Sequence, residues 1–162
     1  MMVIALVLIF AMYFVSVYTR DSYYINLSPS LPYGLYKRSA PVNLKRGDIV
    51  IFIPPDYLKT FIYKRHWLPD GWPLMKQIGA MAGDTYCINK DQQFLINGKF
   101  VGPVYKVDNQ GLPLPKIEGC RTVETGTILP VATHVLNSFD GRYFGTIPLN
   151  IIKGKAVPLY NF

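Results

Sequence analysis

The chain has 162 residues, of which 50% are apolar and 14% aromatic, and its formal net charge is +7. This length is enough for one domain with a hydrophobic core, and the composition excludes an intrinsically disordered chain. The sequence has no basic helix, zinc-ligand spacing or RNA-binding aromatic motif, so we expect no nucleic-acid partner. An anionic membrane surface is the partner that we favour for the positive charge, and a soluble surface with surplus lysine is the alternative.

The N-terminal segment is the longest apolar run of the chain. Residues 1–18 (MMVIALVLIFAMYFVSVY) carry no charge, and Arg20 and Asp21 follow them. A membrane-spanning helix needs roughly 20 apolar residues, with about 17 tolerated. The run lacks a basic N-terminal region and is followed by no A-x-A cleavage pattern, so a cleaved signal peptide is disfavoured. We therefore predict an N-terminal transmembrane anchor over residues 1–20 and one domain over residues 21–162. Composition alone leaves open the side of the membrane on which this domain lies.

Many short elements, separated by 13 prolines and 13 glycines, are predicted after the anchor. The first ones are an extended segment at Tyr23–Leu27, a turn at SPSLPYG (28–34), a strand at GLYKR (34–38) and a strand within Arg46–Pro55. Next come a short helix with Asp56 as its N-cap, a loop at HWLPDGW (66–72) and a strand within Pro73–Asp84. TYCIN (85–89) and QFLING (93–98) predict a hairpin with Asn97-Gly98 as its turn. The last elements are a long loop at 108–119, a strand at the start of 133–148 with a turn at Asp140-Gly141, and a closing strand at 151–160. These elements predict a mainly β domain.

The short helix after Asp56 has two interpretations. Its apolar residues recur at helical spacing, and Lys59, Lys64, Arg65 and Trp67 give it the composition of a membrane-surface element. A plain surface helix that packs on the sheet is the other interpretation.

The only two cysteines are Cys87 and Cys120. A reducing compartment would leave them as thiols, whereas an oxidising one would permit a single disulfide. The sequence has no C-x-x-C motif and only two histidines, so a structural zinc site is disfavoured. We expect no metal or other cofactor.

Ser30 is a candidate nucleophile, although a serine beside prolines is usually a turn residue. A nucleophilic serine needs a base. His134 with Asp140 or Asp48 could complete a triad, but nothing in the spacing favours one, and we expect His66 to be a surface or interfacial residue.

The alternative base is Lys76, which lies in a long apolar strand. Burial in apolar surroundings lowers the pKa of a lysine and lets the neutral amine act as a base. The other interpretation is a lysine at a strand end whose amine reaches water.

Four blocks of the sequence together resemble the type I signal peptidases, membrane-anchored proteases with a Ser/Lys dyad. They occur in the family's order: SPSLP (28–32), KRGDIVIF (45–52), MKQIGAMAGD (75–84) and NSFDGRYFG (137–145). The resemblance implies a signal-peptidase-like coiled antiparallel β-sheet domain on one N-terminal transmembrane helix. It also implies a role for each matching residue: Ser30 as nucleophile, Lys76 as general base, Ser28 as oxyanion-hole donor, Ser138 as the residue that orients the lysine, and Asp140 with Arg142 as an ion pair.

Several positions depart from the family pattern. Pro32 follows Ser30 by two residues instead of three, and His134-Val135-Leu136 stands where Gly-Asp-Asn-Arg is usual. Gly141 replaces a serine, and Ala82 replaces the proline before Gly-Asp.

The short form SLPYGLY (30–36) resembles one branch of the family, the TraF-type peptidases of conjugative plasmid transfer, which mature pilin subunits. Some members of that branch remove a C-terminal peptide and cyclise the pilin, and the aspartate that corresponds to Asp140 has been tied to that step. Asp140 could therefore be structural, catalytic or both.

The resemblance further implies a place and partners for the protein. It puts the domain in the periplasm on the inner membrane, where a Cys87–Cys120 disulfide is expected. A prepilin or another membrane-inserted precursor would be the substrate, with membrane lipids and the conjugative secretion machinery as further partners. The alternatives are a general signal peptidase that acts on secreted proteins and a non-catalytic membrane-tethered assembly scaffold. The sequence leaves open the cleavage motif, the choice between hydrolysis and cyclisation, and the oligomeric state.

Overall fold

The computed structural model of the protein describes residues 9, 10, 12, 13 and 22–162. Apart from those first four positions, the predicted anchor over residues 1–20 lies outside the described residues. Within the described part, no helix has both the length and the apolar character that crossing a membrane requires.

Residues 22–162 contain eleven strands, two short helices and one 3-10 turn. The strands are β1 (Tyr23–Asn26), β2 (Gly34–Ser39), β3 (Ile49–Phe52), β4 (Leu74–Met81), β5 (Thr85–Ile88), β6 (Gln93–Ile96), β7 (Lys99–Pro103), β8 (Gly119–Thr122), β9 (Thr127–Val131), β10 (Ile147–Pro148) and β11 (Ile152–Asn161). The helices are α1 (Asp56–Ile62) and α2 (Gly141–Phe144), and the 3-10 turn is Leu149–Ile151.

The strands form two antiparallel sheets. The larger sheet has seven strands in the order β1-β2-β11-β3-β4-β9-β10, and the smaller has four in the order β7-β6-β5-β8. The prediction of a mainly β domain is confirmed.

The central strand β4 shows why the sequence folds in this way. Its side chains alternate between buried and partly buried positions from Leu74 to Met81, as expected for a strand with one face on the core. Ile78 belongs to a core cluster with Val50 and Phe52. A second cluster lies around Phe94 of the small sheet, and Phe139 packs against both.

Helix α1 differs in one detail from the prediction. Pro55, and not Asp56, is the N-cap, and it makes no side-chain capping bond. Asp56 is the first helical residue, and its carboxylate pairs with Lys59 one turn later. Leu58 and Ile62 are buried against the larger sheet, so the apolar face of this helix packs on the core.

The Asn97-Gly98 turn joins a different pair of strands from the predicted one. Residues 89–92 connect β5 to β6, whereas Asn97-Gly98 connects β6 to β7. Both turn residues have positive φ, as the tight turn of a two-residue hairpin requires. The turn chemistry was therefore correct, and its assignment to the preceding hairpin was wrong.

The predicted strand at the start of residues 133–148 is also wrong. Residues 132–140 form an irregular loop, and α2 follows it. The physical reason is that side chains hold this backbone: the carboxylate of Asp140 accepts a hydrogen bond from the Ala132 N–H, and the guanidinium of Arg142 donates to the carbonyls of Ala132 and Leu136.

A disulfide joins Cys87 of β5 to Cys120 of β8. The two residues lie directly opposite each other in the antiparallel register. The bond ties β8, whose residues are all exposed, to the rest of the small sheet.

Removing this disulfide should destabilise the domain. The two cysteines are 33 residues apart, so the bond restricts a sizeable loop of the unfolded chain, and its loss should cost about 3 to 4 kcal/mol of unfolding free energy. We expect this loss in the Cys87→Ser/Cys120→Ser double variant in chemical denaturation. A reductant should destabilise the wild type and leave the double variant unchanged. Equal effects of the reductant on both proteins would contradict the prediction.

Candidate active site

The turn that carries Ser30 lies between β1 and β2. These strands pair antiparallel, with Asn26 opposite Gly34, so the hairpin closes the turn at its base. Ser30 is buried, with 8% of its surface exposed. On the other side of the turn, the Tyr36 hydroxyl donates a hydrogen bond to the Pro32 carbonyl over 2.7 Å.

The two serines of the turn are in direct contact. The Oγ atoms of Ser28 and Ser30 are 2.8 Å apart. Ser28 Oγ also donates to Asn26 Oδ1 over 3.1 Å. The turn therefore brings two hydroxyl groups together beside a buried amide.

Lys76 has a buried amine that points to a serine. It lies in β4, where its side chain faces inward, and it is 5% exposed. Its Nζ donates to Ser138 Oγ over 2.9 Å. Desolvation by burial lowers the pKa of Lys76 to about 8; the nearby Arg142 also lowers this pKa, while Asp140 raises it. A substantial fraction of this amine is therefore neutral near physiological pH, as a general base requires.

Asp140 and Arg142 form a fully buried ion pair. The Arg142 Nε donates to Asp140 Oδ1 over 2.8 Å, and its Nη2 donates to Oδ2 over 3.1 Å. Arg142 Nη1 also reaches the carbonyls of Leu136 and Pro103. The pair thus connects the loop before α2 to the end of β7.

Gly102 in β7 gives the guanidinium of Arg142 its space. A Cβ at position 102 would lie 2.8 Å from Arg142 Nη1, closer than Cβ atoms are normally found, and the buried guanidinium is held in place by its hydrogen bonds. The glycine and the buried arginine therefore depend on each other.

Sequence reasoning missed Phe139, which lies between Ser138 and Asp140. Its ring stacks on Tyr143 with the centroids 5.5 Å apart and meets Trp67 edge-on at 5.0 Å. Aromatic packing of this kind adds to area burial and restricts ring orientation. Phe139 therefore fixes the backbone that presents Ser138 to the lysine.

The described residues do not form the alternative Ser-His-Asp triad. His134 and His66 are both exposed, and among residues 22–162 no hydrogen bond joins a histidine to Asp48 or Asp140. Asp48 pairs with Lys155, while Asp140 pairs with Arg142.

The structure brings the predicted site residues together in three pairs: Ser28 with Ser30, Lys76 with Ser138, and Asp140 with Arg142. The turn that carries Ser30 joins β1 to β2, and Lys76 lies in β4 of the same seven-stranded sheet, where β11 and β3 lie between β2 and β4. In the part of the chain that the structure describes, no hydrogen bond joins Ser30 to Lys76, so their pairing as a dyad stays a prediction. No group of three or more His, Cys, Asp or Glu residues is placed to hold a metal ion within this same part.

Replacing Arg142 should destabilise the protein strongly. Arg142→Met would leave the carboxylate of Asp140 buried without its counter-ion, which costs about 3 to 5 kcal/mol. Lys59→Met is the matched control: it removes the cation of an exposed pair with Asp56, and it should change the stability little, because exposed ion pairs contribute little. Denaturant unfolding of the full chain measures the free energy of unfolding of both variants. Equal losses would contradict the prediction that the buried pair stabilises the protein more than the exposed pair does.

The chain is similar to a family of peptidases and to several named proteins. It matches the family model described as signal peptidase, peptidase S26, over residues 1–160. Two relatives from Escherichia coli, each named plasmid transfer protein TraF, are 32% identical over 134 and 148 residues; the alignments cover 76% and 83% of this chain and 74% and 80% of the relatives. The conjugal transfer protein TraF of Agrobacterium fabrum is 30% identical over 152 residues, covering 86% of this chain and 83% of the relative.

A crystal structure of a signal peptidase I from Enterococcus faecalis is also similar, with a TM-score of 0.41 and 20% identity, and the match covers 75% of this chain and 100% of that one.

The match to the family model spans nearly the whole sequence and agrees with the four blocks. The relatives named TraF agree with the TraF-type form of the serine turn. The chain belongs to the signal peptidase family, peptidase S26.

Proposed function

We propose that the protein is a membrane-anchored Ser/Lys endopeptidase that processes a pilin-like precursor during conjugative transfer. The observation that carries this proposal is the buried amine of Lys76, held by Ser138 Oγ and with its pKa lowered to about 8. A purely structural role does not explain a lysine at this position, because burial of an ammonium group is unfavourable. The TraF names of the relatives support the assignment to conjugation.

The proposed reaction is acyl transfer through Ser30. Neutral Lys76 takes the proton of the Ser30 hydroxyl, and Ser30 Oγ attacks the scissile carbonyl. Collapse of the tetrahedral intermediate breaks the peptide bond, the leaving amine takes the proton from Lys76, and an acyl-enzyme remains. A nucleophile then releases the acyl group from Ser30.

Ser28 is the proposed oxyanion-hole donor. Its Oγ lies 2.8 Å from Ser30 Oγ, so both hydroxyl groups would face the same carbonyl of a bound substrate. The Ser28 hydroxyl and the Ser30 backbone N–H would donate to the oxyanion as charge develops in the transition state. Ser138 would keep the amine of Lys76 directed, and the Asp140–Arg142 pair would hold the loop that carries Ser138.

We place the domain in the periplasm, attached to the inner membrane by the apolar segment over residues 1–20. The uncharged run over residues 1–18 supports the anchor. The Cys87–Cys120 disulfide supports the periplasmic side, because such bonds are typical of oxidising compartments. The substrate would then be a membrane-inserted precursor.

The acyl-enzyme could be resolved by water or by the amino terminus of the pilin itself. A tethered amine competes with water because its effective concentration is high. We propose cyclisation for this chain because the SLPYGLY turn has the form found in the TraF-type branch. Asp140 is fully buried and bonded to Arg142 and to the Ala132 N–H, so its contribution would be to support the site.

Ser30→Ala and Lys76→Met should each abolish processing of a co-produced candidate pilin precursor while the protein stays folded. The exposed-lysine variant Lys99→Met and the variant His134→Ala are the controls and should process normally.

For the wild type, kcat/KM should rise with pH and reach half of its maximum near pH 8, because Lys76 must lose a proton to act as a base. Full activity of Lys76→Met would contradict the role of Lys76 as general base, and full activity of Ser30→Ala would contradict the role of Ser30 as nucleophile. A precursor that is cleaved only behind an N-terminal signal sequence would instead identify a general signal peptidase.

The intact mass of the mature product separates cyclisation from hydrolysis. A cyclic pilin is lighter by one water than the linear chain of the same residues, because the new peptide bond replaces two free termini. We expect the lighter mass and resistance to aminopeptidase digestion. A product of the linear mass alone would refute cyclisation and leave the endopeptidase intact.

A further inference from the structure

We propose that Asn26 is a positioning residue for the nucleophile, holding the turn that carries Ser30 and setting the direction of the Ser28 hydroxyl. This inference rests on the proposed function, because it concerns how Ser30 is presented for attack. Asn26 is the last residue of β1 and is 5% exposed.

The orientation of the Asn26 amide is fixed by its neighbours. Its nitrogen, Nδ2, lies 2.9 Å from the Ser28 carbonyl oxygen, 2.9 Å from that of Leu31 and 3.1 Å from that of Pro32. Carbonyl oxygens only accept hydrogen bonds, so the atom that faces them must be the donor. Its oxygen, Oδ1, accepts from the Ser28 backbone N–H over 3.2 Å. One side chain thus gathers the backbone of the whole turn, from position 28 to position 32.

The same amide fixes the direction of two hydroxyl protons. Asn26 Oδ1 cannot donate, so the 3.1 Å contact with Ser28 Oγ uses the proton of Ser28. Ser28 then has no second proton for Ser30, and the 2.8 Å contact between the two serines must use the proton of Ser30. In the resting protein, therefore, Ser30 donates to Ser28, and Ser28 donates to Asn26.

Catalysis requires both of these hydroxyl hydrogen bonds to break. The proton of Ser30 has to pass to Lys76, and the proton of Ser28 has to turn from Asn26 towards the oxyanion. Asn26 Oδ1 keeps its bond to the Ser28 backbone N–H throughout, so the turn does not move while the hydroxyl rotates. The amide therefore acts through Ser28 and the turn backbone, and it touches no reacting atom.

The opposite side of the turn leaves no space for compensating movement. Gly34 packs so closely on β11 that a Cβ there would lie 2.3 Å from the Tyr160 carbonyl oxygen, and Tyr36 holds the Pro32 carbonyl. Without Asn26, residues 28–32 would lose the hydrogen bonds from the end of β1, while the side of the turn near Gly34 and Tyr36 would stay fixed. We therefore expect Ser30 to be displaced relative to its surroundings.

The test measures acetylation of Ser30 by p-nitrophenyl acetate in the full-length protein. The bond between Ser30 Oγ and the acetyl carbon forms, the ester C–O bond breaks, p-nitrophenolate leaves, and the Ser30 proton passes to Lys76. Mass spectrometry of the peptide that contains residue 30 gives the rate at this site alone, and Ser30→Ala supplies the blank.

We expect Asn26→Ala to slow the acetylation about 100-fold, as a displacement of about 1 Å in a catalytic group does. Asn89→Ala is the matched control, because Asn89 Oδ1 accepts from the backbone of Asp91 and Gln93 in a turn of the small sheet; it should react like the wild type. The Asn26→Ala/Ser28→Ala double variant should lose less than the product of the two single losses, since the two residues act as one unit.

Asn26→Asp provides a second variant in case Asn26→Ala does not fold. It keeps the acceptor for Ser28 but turns an oxygen towards three carbonyl oxygens, so it should also slow acetylation. A folded Asn26 variant that reacts within twofold of the wild type would overturn the inference, as would single losses that multiply in the double variant. Failure of both Asn26 variants to fold where Asn89→Ala folds would show a role in stability and overturn positioning. A wild type that reacts no faster at Ser30 than the blank would instead overturn the proposed function, and the inference with it.

Discussion

The buried pair of Asp140 and Arg142 is the interaction on which the rest of the site depends. An ion pair removed from water is stable only when further hydrogen bonds satisfy its remaining donors and acceptors. Here the Ala132 N–H and three backbone carbonyls supply those bonds. The loop before α2 therefore needs no strand partner, and Ser138 is held where the Lys76 amine can reach it. Burial lowers the pKa of that amine, and the same two charges act on this pKa in opposite directions, Asp140 raising it and Arg142 lowering it.

Local patterns predicted the strands well where one face meets the core. The apolar run around Lys76 predicted a strand with this lysine as a candidate buried base, and the Asn97-Gly98 turn was recognised by its chemistry. Long-range contacts decided what local patterns could not. Residues 133–137 have the composition of a strand, but they form a loop because Arg142 bonds the carbonyl of Leu136 and that of Ala132, which precedes them. Pro130 lies inside β9, but β10 pairs only with Thr127 and Ile128, so the proline stands where β9 is an edge strand, a position that proline tolerates.

In the candidate site, the sequence identified the residues that carry the chemistry but not the residues that position them. Serines and a lysine in four ordered blocks were enough to identify the family, because those residue types carry its chemistry. Asn26 and Phe139 escaped notice because their roles exist only in three dimensions. An asparagine at a strand end is an ordinary turn residue in sequence, and its five bonds to one turn follow from the hairpin register. Phe139 was hidden for a similar reason, since two of its ring partners, Phe61 and Trp67, come from a helix and a loop that are distant in sequence.

The close approach of Gly102 to Arg142 has a consequence for how this sequence can vary. Any side chain at position 102 would collide with the guanidinium, so the position is closed while the arginine is kept. Conversely, a shorter residue at 142 would open room beside β7 that a larger residue at 102 could fill. The two positions are 40 residues apart in sequence, yet they share one space, and Asp140 would also need an uncharged replacement because it would lose its counter-ion. A redesign of this domain should therefore treat the three positions as a single unit.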